Sequence, residues 1–508
     1  MAVRSSKYSD MPLSTLLEGW VTPTAFQEVV ISGIASDSRQ LDAGYLFLAL
    51  PGDHHHGLDF IQQALAAGIA ALCYCEGDPR FETVQKHVDE AGITAVPVAE
   101  LRRKAGQIAD RFYHHPSQHL SVIGVTGTDG KTSVTHIIAQ ALSTKTSPCG
   151  VIGTLGNGVP GQLAATGMTT PDAISVQKAL SDLVAQGATT VAMEVSSHAL
   201  VQERVNGVDF DIAVLTNLGR DHLDYHGDLQ AYRDAKAKLF QMSGLKRLVL
   251  NVDDAFGREL FLAKRSHMAV IGYSCQPEPP MKVDHLIHAT QIFAQPTGLV
   301  MHVSTDDGVS ILNSRLLGAF NASNLLAAWC VLEALGLTGK EIVHRLEKVR
   351  PIPGRMELFS RPGLPKIVVD YAHTPQALGS ALQAAREHAK NNIWCVFGCG
   401  GDRDAGKRPL MGALAEKHAD RVVITDDNPR NESGQAIIDE ILAGVQCPQN
   451  VHVERDRARA LRYAFENAQP SDLILVAGKG HEDYQIIQGQ RLHFSDRAYV
   501  ADMLEGAT

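Results

Sequence analysis

A short apolar run, Ser121-Val122-Ile123-Gly124-Val125, leads into Gly127-Thr128-Asp129-Gly130-Lys131-Thr132 and then into a helical pattern over residues 132–143. Strand, glycine loop and helix in that order leave few options for the fold. The glycines permit a sharp backbone turn, and the first N–H groups of the helix point at whatever anion the loop encloses. Such a unit implies an α/β domain built on a parallel sheet, with ligands gathered at the carboxyl ends of its strands. Lys131 is placed to reach outer phosphates and Thr132 to ligate Mg2+. The spacing departs from the usual GxxxxGK, because that pattern asks for glycine where Val125 stands and the upstream glycine is Gly124. A plain glycine turn is the duller alternative.

The chain has 508 residues, more than one hydrophobic core usually organises. Three α/β blocks are expected, at residues 1–116, 117–350 and 351–508. In the first, residues 45–50 and 70–74 read as buried strands, and residues 111–119, with Pro116 near the centre, read as a linker. In the second, strands at 190–193 and 212–215 should deliver Glu194 to His198 and Thr216 to His226 beside the glycine loop. In the third, strands at 367–369, 393–397, 422–424 and 473–476 alternate with helices, a Rossmann-like rhythm.

Composition excludes several classes. A net charge of −10 is the wrong sign for a nucleic-acid binder, which needs a basic face to neutralise phosphates. No apolar run is long enough to span a membrane, and the first ten residues lack the apolar core of a secretory signal. A cytoplasmic monomer is the expectation. The eight cysteines form no CxxC pair and lie mostly in apolar runs, so they read as reduced core residues.

Several side chains carry chemistry. Glu194 ends an apolar strand, where a carboxylate is costly to bury without a partner, and a metal ion or a basic side chain would serve. His222 and His226 have helical spacing. They suit a metal site or ordinary structural roles, although Mg2+ prefers oxygen ligands. Over residues 228–241, Tyr232, Lys236, Leu239 and Phe240 share one helical face, so Lys236 points inward and Lys238 outward. Desolvation would leave the Lys236 amine neutral and able to bind carbon dioxide as a carbamate; a snorkelling lysine is the alternative. Arg403 and Arg430 follow strands and could bond a carboxylate bidentately, or simply lie solvated on the surface. His54, His55 and His56 cannot all converge on one metal and suit a polar binding loop.

Taken together, these residues resemble the Mur ligase family over essentially the whole chain. The glycine loop is similar to the family's GTNGKT. The other motifs are Met193-Glu194-Val195-Ser196-Ser197-His198, Asp221-His222-Leu223-Asp224-Tyr225-His226, Gly354-Arg355-Met356-Glu357, Asp370-Tyr371-Ala372-His373-Thr374-Pro375 and Ala477-Gly478-Lys479-Gly480-His481-Glu482. The resemblance implies an ATP-dependent ligase of peptidoglycan precursor synthesis, acting through an acyl phosphate. Asp427-Asn428-Pro429-Arg430 matches the motif associated with meso-2,6-diaminopimelate, added to the D-glutamate of UDP-N-acetylmuramoyl-L-alanyl-D-glutamate. An L-lysine-adding member, a folylpolyglutamate synthetase-like ligase and an ATP-binding scaffold without chemistry are the alternatives.

The resemblance also implies roles by position. Lys131, Glu194, His222 and Lys236 would be catalytic, and Thr132, Glu194, His222 and carbamylated Lys236 would hold Mg2+. ATP would meet Gly127, Thr128, Asp129, Gly130, Lys131, Thr132, Ser133, Asn321, Arg355 and Asp370. The UDP-muramoyl-dipeptide would meet Ser36, Ser38, Asp53, His54, His55, Thr169, Thr170, Ser196, Gln202 and Arg204. Diaminopimelate would meet Arg403, Asp427, Asn428, Pro429, Arg430, Gly478 and Glu482. Two positions depart from the family pattern: Asp129 replaces asparagine, adding negative charge near phosphates, and Met168 stands where asparagine often precedes Thr169-Thr170.

Overall fold

The computed structural model describes residues 10–22, 28–52 and 55–506. Two compact units divide the chain, one of Met1–Leu250 with Asp254–Val270 and the other of Asn251–Asp253 with Ile271–Thr508.

The first unit begins with a four-stranded parallel sheet in the order Gly33–Ala35, Tyr45–Ala49, Ala71–Cys75, Thr94–Val98. Successive side chains of a strand face opposite ways. Leu46 and Leu48 therefore join Ile108, Ala109 and Phe112 of the helix Leu101–Phe112 on one face. Phe47 and Ala49 join Leu58, Ile61 and Val88 on the other. Burial on both faces explains why these strands read as unbroken apolar runs.

The expected linker is corrected here. Arg111 and Phe112 complete the helix Leu101–Phe112, and Pro116–His119 forms a 3-10 turn with Pro116 and Ser117 buried. Proline marked a change of element rather than an exposed tether.

The second sheet of this unit carries the glycine loop. Parallel strands run in the order Cys149–Gly153, Thr190–Glu194, Ser121–Thr126, Ile212–Leu215, Arg247–Asn251. Glu194 lies opposite Val125 and Leu215 opposite Thr126, so both neighbours of the loop strand end level with the loop. After Gly130 the helix Lys131–Leu142 buries Val134, Ile137 and Ile138, which anchors it to the sheet.

In the second unit, Leu286–Gln295, Gly298–Thr305 and Gly308–Ser314 form an antiparallel meander, followed by the buried helix Phe320–Ala334. The sequence pattern did not reveal this meander, and its exposed apolar residues show why. Val309 and Ile311 alternate outward while Leu312 is buried, so apolar residues occupy both faces and blur the period-two signal.

The last sheet has the order Glu357–Phe359, Lys366–Asp370, Leu473–Ala477, Ile393–Phe397, Arg421–Ile424, Val451–Val453. Only the first pairing is antiparallel. Leu473–Ala477, the last of these strands in the chain, is inserted between Lys366–Asp370 and Ile393–Phe397, which reverses the winding, the arrangement that opens a crevice at strand carboxyl ends. The motifs beginning at Asp370, Gly398, Asp426 and Gly478 all sit on that edge.

Candidate active site

The loop is held in shape before any ligand is considered. Gly127 has φ 152°, and a Cβ there would lie 1.8 Å from Thr216 Oγ1. Only glycine fits so close an approach. Gly130, at φ 85°, turns the chain into the helix. Asn217 Oδ1 accepts from Asp129 N at 3.0 Å, and Thr216 Oγ1 donates to Asp129 O at 2.6 Å. Thr128 Oγ1 accepts from Gly219 N at 2.8 Å. Asp129 is exposed, so its extra charge faces solvent while its backbone is braced. Lys131 Nζ folds over the loop onto the carbonyls of Gly127 and Thr128, at 2.9 and 2.8 Å. Thr132 and Ser133 are buried in the first helical turn.

Glu194 is fully buried. Thr132 Oγ1 donates to its Oε2 at 2.9 Å, Thr154 Oγ1 reaches the same oxygen at 3.1 Å, and Thr154 N donates to Oε1 at 2.8 Å. Gly153 makes room, since a Cβ there would lie 2.3 Å from Oε1. These donors are all neutral, which satisfies the oxygens without cancelling the charge. A buried carboxylate in such a setting suits a cation. Carboxylate and hydroxyl oxygen are hard donors, and Mg2+ characteristically takes one or two protein oxygens and completes its shell with water and phosphate. The residues present therefore fit Mg2+. Among the described residues no three His, Cys, Asp or Glu side chains cluster as a metal cage.

Lys236 is turned inward and 1% exposed. Its Nζ donates to Gly127 O at 2.7 Å and lies 4.4 Å from the centre of the Tyr232 ring. Burial, reinforced by the nearby Lys131 charge, pushes its pKa well below the usual lysine range. The helix carrying it is α-helical over Leu229–Ala237, capped by Asp228, and tightens to 3-10 over Lys238–Gln241. Lys238 is exposed. His222 stands at φ 53° with its ring 4.8 Å from that of His198 and 6.3 Å from that of Tyr232. His226 Nε2 lies 3.0 Å from Ser197 Oγ. Burial of His198 and the adjoining His222 hold its imidazole down at about 4, leaving it neutral near pH 7.

A polar cluster adjoins Glu194. Thr170 Oγ1 donates to Glu194 O at 2.9 Å, and Ser196 N donates to Thr170 Oγ1 at 3.1 Å. Arg204 reaches Thr170 O at 2.8 Å and Gln202 Oε1 at 2.9 Å, and Gln202 Nε2 donates to Tyr225 OH at 3.2 Å. Thr169 joins through Thr154, their hydroxyls 3.1 Å apart. Met168 is half-exposed, with its sulfur 3.6 Å from Arg204 Nη1. The first sheet carries Ser36, Ser38, which bonds Gln63 at 2.8 Å, and the exposed His55. Asp53 and His54 lie outside the described residues. His56 instead turns inward, accepting from Leu58 N at 3.1 Å and meeting Asp78 at 2.8 Å.

The second unit holds the remaining residues. Asn321 is buried and bonds Leu317 O at 2.7 Å. Arg355 stacks 4.5 Å from the centre of the Tyr371 ring. Asp370 accepts from the N–H groups of Met356 and Ala372, both at 2.8 Å; burial pushes its carboxyl pKa up, against the pull of Arg355. Asp427 sits against Gly478, where a Cβ would be 2.5 Å from its carboxylate. Asn428 Nδ2 donates to Glu482 Oε2 at 3.0 Å, Pro429 is buried beside it, and Arg430 donates to Gly401 O at 2.7 Å. Arg403 is exposed.

Two residues without a sequence-derived role belong to these clusters. Thr154 braces both oxygens of Glu194; its position between Gly153 and the Gly156 turn was the available signal. Lys479 is fully buried and pairs with Glu482 at 3.1 Å. Its place inside Gly478-Lys479-Gly480 was visible, but burial was not. The reading of the cysteines as core residues needs amendment at three positions: Cys447 is exposed and Cys75 and Cys275 are half-buried, whereas Cys73, Cys149, Cys330, Cys395 and Cys399 are buried; all eight are free thiols.

Three family models match in succession: Mur ligase family, catalytic domain, over residues 30–113; Mur ligase middle domain, over 125–332; and Mur ligase, glutamate ligase domain, over 354–480. The chain is 50% identical over 502 residues to the UDP-N-acetylmuramoyl-L-alanyl-D-glutamate--2,6-diaminopimelate ligase of Alkalilimnicola ehrlichii, covering 98% of this chain and 100% of that one. Identity to the ligase of the same name from Coxiella burnetii is 46%, over 92% and 94%. A solved structure of a ligase so named superposes with TM-score 0.70 at 35% identity, covering 98% and 99%. The fold is shared, at 18% identity and TM-score 0.60, with a folylpolyglutamate synthase of Mycobacterium tuberculosis, over 80% of this chain and 96% of that one.

Proposed function

This chain belongs to the Mur ligase family of ATP-dependent, amide-forming ligases, and from that premise we propose the reaction and the residues that carry it. It adds 2,6-diaminopimelate to the D-glutamate of UDP-N-acetylmuramoyl-L-alanyl-D-glutamate, a step of peptidoglycan precursor synthesis. The observation that carries the site is the 2.9 Å contact between Thr132 of the phosphate loop and the buried Glu194 carboxylate.

The chemical difficulty is the approach of a carboxylate to a polyphosphate. Two unit charges 4 Å apart repel by about 4 kcal/mol at an effective dielectric constant near 20. Residues of the loop reduce that barrier: the N–H groups at the start of Lys131–Leu142 face the phosphates, and Lys131 exchanges its loop carbonyls for phosphate oxygens. Mg2+ held by Thr132 and Glu194, with His222 and a carbamate on Lys236 completing the protein donors, would supply the positive charge that aligns phosphate and carboxylate. Thr169, Thr170, Ser196, Gln202 and Arg204 bind the dipeptide and aim the D-glutamyl carboxylate. Its phosphorylation gives an acyl phosphate that the diaminopimelate amine attacks, so no enzyme nucleophile is needed.

Arg403 and Arg430 bind the distal carboxylate of meso-diaminopimelate, with Asp427, Asn428, Gly478 and Glu482 shaping the rest of that site. A charge-assisted bond contributes about 1.5–3 kcal/mol. L-Lysine, lacking that carboxylate, would lose this contribution and leave an arginine unpaired. The test is phosphate release with ATP, Mg2+ and the UDP-muramoyl-dipeptide, with diaminopimelate or L-lysine as acceptor. Release that depends on diaminopimelate and is at least about tenfold weaker with lysine is expected. Equal rates would overturn the arginine assignment, and ATP binding without acceptor-dependent release would overturn the ligase reading.

A further inference from the structure

Thr154 stands where two sites meet. Its backbone N–H is committed to Glu194 Oε1 at 2.8 Å. Its hydroxyl lies 3.1 Å from Glu194 Oε2 and also 3.1 Å from Thr169 Oγ1. A hydroxyl carries one proton, so it can donate to only one of these acceptors at a time. Thr132 Oγ1 already donates to the same Oε2 at 2.9 Å. The competition is therefore between a buried carboxylate and a neighbouring threonine.

We infer that Thr154 is a positioning residue whose single hydroxyl proton couples cation binding at Glu194 to binding of the muramoyl-dipeptide at Thr169. This inference rests on the site assignment proposed above. Without a cation, the unneutralised carboxylate is the stronger acceptor and draws the Thr154 proton. Thr169 then has Thr154 Oγ1 as an acceptor for its own proton, and its hydroxyl is occupied. When a cation takes up the charge of Glu194, Thr154 turns to donate to Thr169. The proton of Thr169 is thereby released to an oxygen of the dipeptide.

No bond is broken and no proton changes residue; two hydroxyl rotors change partners. Linkage makes the effect reciprocal, so the dipeptide must strengthen cation binding by the same factor. One hydrogen bond gained or lost corresponds to a change in affinity of about three- to tenfold.

The experiment uses the full chain with ADP, so that no turnover occurs. Affinity for UDP-N-acetylmuramoyl-L-alanyl-D-glutamate is measured by calorimetry with Mg2+ and with EDTA. The wild type is expected to bind about three- to tenfold more tightly with Mg2+. Thr154→Ser, which keeps the hydroxyl, should retain that ratio, and Thr154→Val, nearly the same shape, should bring it to about one. Thr169→Val supplies an independent check should Thr154→Val fold poorly, because removing the acceptor must also abolish the ratio. An unchanged ratio in Thr154→Val, or no Mg2+ effect in the wild type, overturns the coupling. Unaltered dipeptide affinity in Thr169→Val, with or without Mg2+, overturns the site assignment itself.

Discussion

Lys236 illustrates what a single residue can disclose. Its apolar stripe with Tyr232, Leu239 and Phe240 was readable as a helical face, and all four side chains are buried. What could not be read was the target of the amine, the carbonyl of Gly127, because contacts across 109 positions leave no local pattern. Lys236→Ala is expected to lower the ligation rate by about 100-fold or more, the scale of losing one preorganised charge-stabilising group, and acetate should restore part of it. Full activity in that variant would remove the carbamate role. His481 gives a pH prediction. Burial, then the charge of Arg355, hold its pKa at about 4, against about 6.5 in the unfolded chain. Between those values the unfolded chain takes up the proton more readily, so this contribution to stability is complete above pH 6.5 and is lost as pH falls towards 4. Denaturant unfolding at pH 7 and pH 5 should show a smaller loss in His481→Gln than in the wild type.

Strands buried on both faces were the readable ones. The strands Ile212–Leu215 and Ile393–Phe397 coincide with the sequence reading because each is a short apolar run, ended by Thr216-Asn217 in one case and by the glycine-rich Gly398-Cys399-Gly400-Gly401 in the other. The strands of the meander from Leu286 to Ser314 escaped because their register depends on pairing partners, not on a one-sided pattern. Site elements were legible wherever a glycine or a cap fixed them locally. Gly153→Ala should press a methyl group against Glu194 Oε1 and reduce activity by about tenfold or more with little change in circular dichroism. An unaffected rate would mean that the carboxylate need not occupy this position. Asp172 caps the helix Ala173–Ala185 by accepting from Ile174 N and Ser175 N at 3.1 and 3.0 Å. Asp172→Ala should therefore cost about 1 kcal/mol of stability, seen as a lower denaturation midpoint.

At the scale of the molecule, each unit encloses its own apolar core, and the last sheet buries apolar clusters on both faces. A chain so divided is not expected to unfold as one step, and its calorimetric enthalpy should exceed the van't Hoff value. Within the second unit, Arg457 and Asp496 form a fully buried pair at 2.7 Å, and Arg457 also donates to Ala477 O, next to Gly478. Asp496→Ala leaves that guanidinium without its counter-charge and should destabilise the unit by about 3–5 kcal/mol. A loss below 1 kcal/mol would mean that water or another carboxylate takes over. Three α/β blocks were the expectation from the alternation of strand and helix. The division of compact units near residues 250–271 did not follow, because compactness counts contacts between segments distant in sequence.

The approach of Gly127 to Thr216 has a pharmacological side. Every side chain added at Gly127 would begin with a Cβ 1.8 Å from a hydroxyl oxygen, on a backbone turned to φ 152°. An inhibitor that hydrogen-bonds the carbonyl of Gly127 would thus rest on a position where point mutation has nowhere to go, and escape would have to arise elsewhere in its footprint.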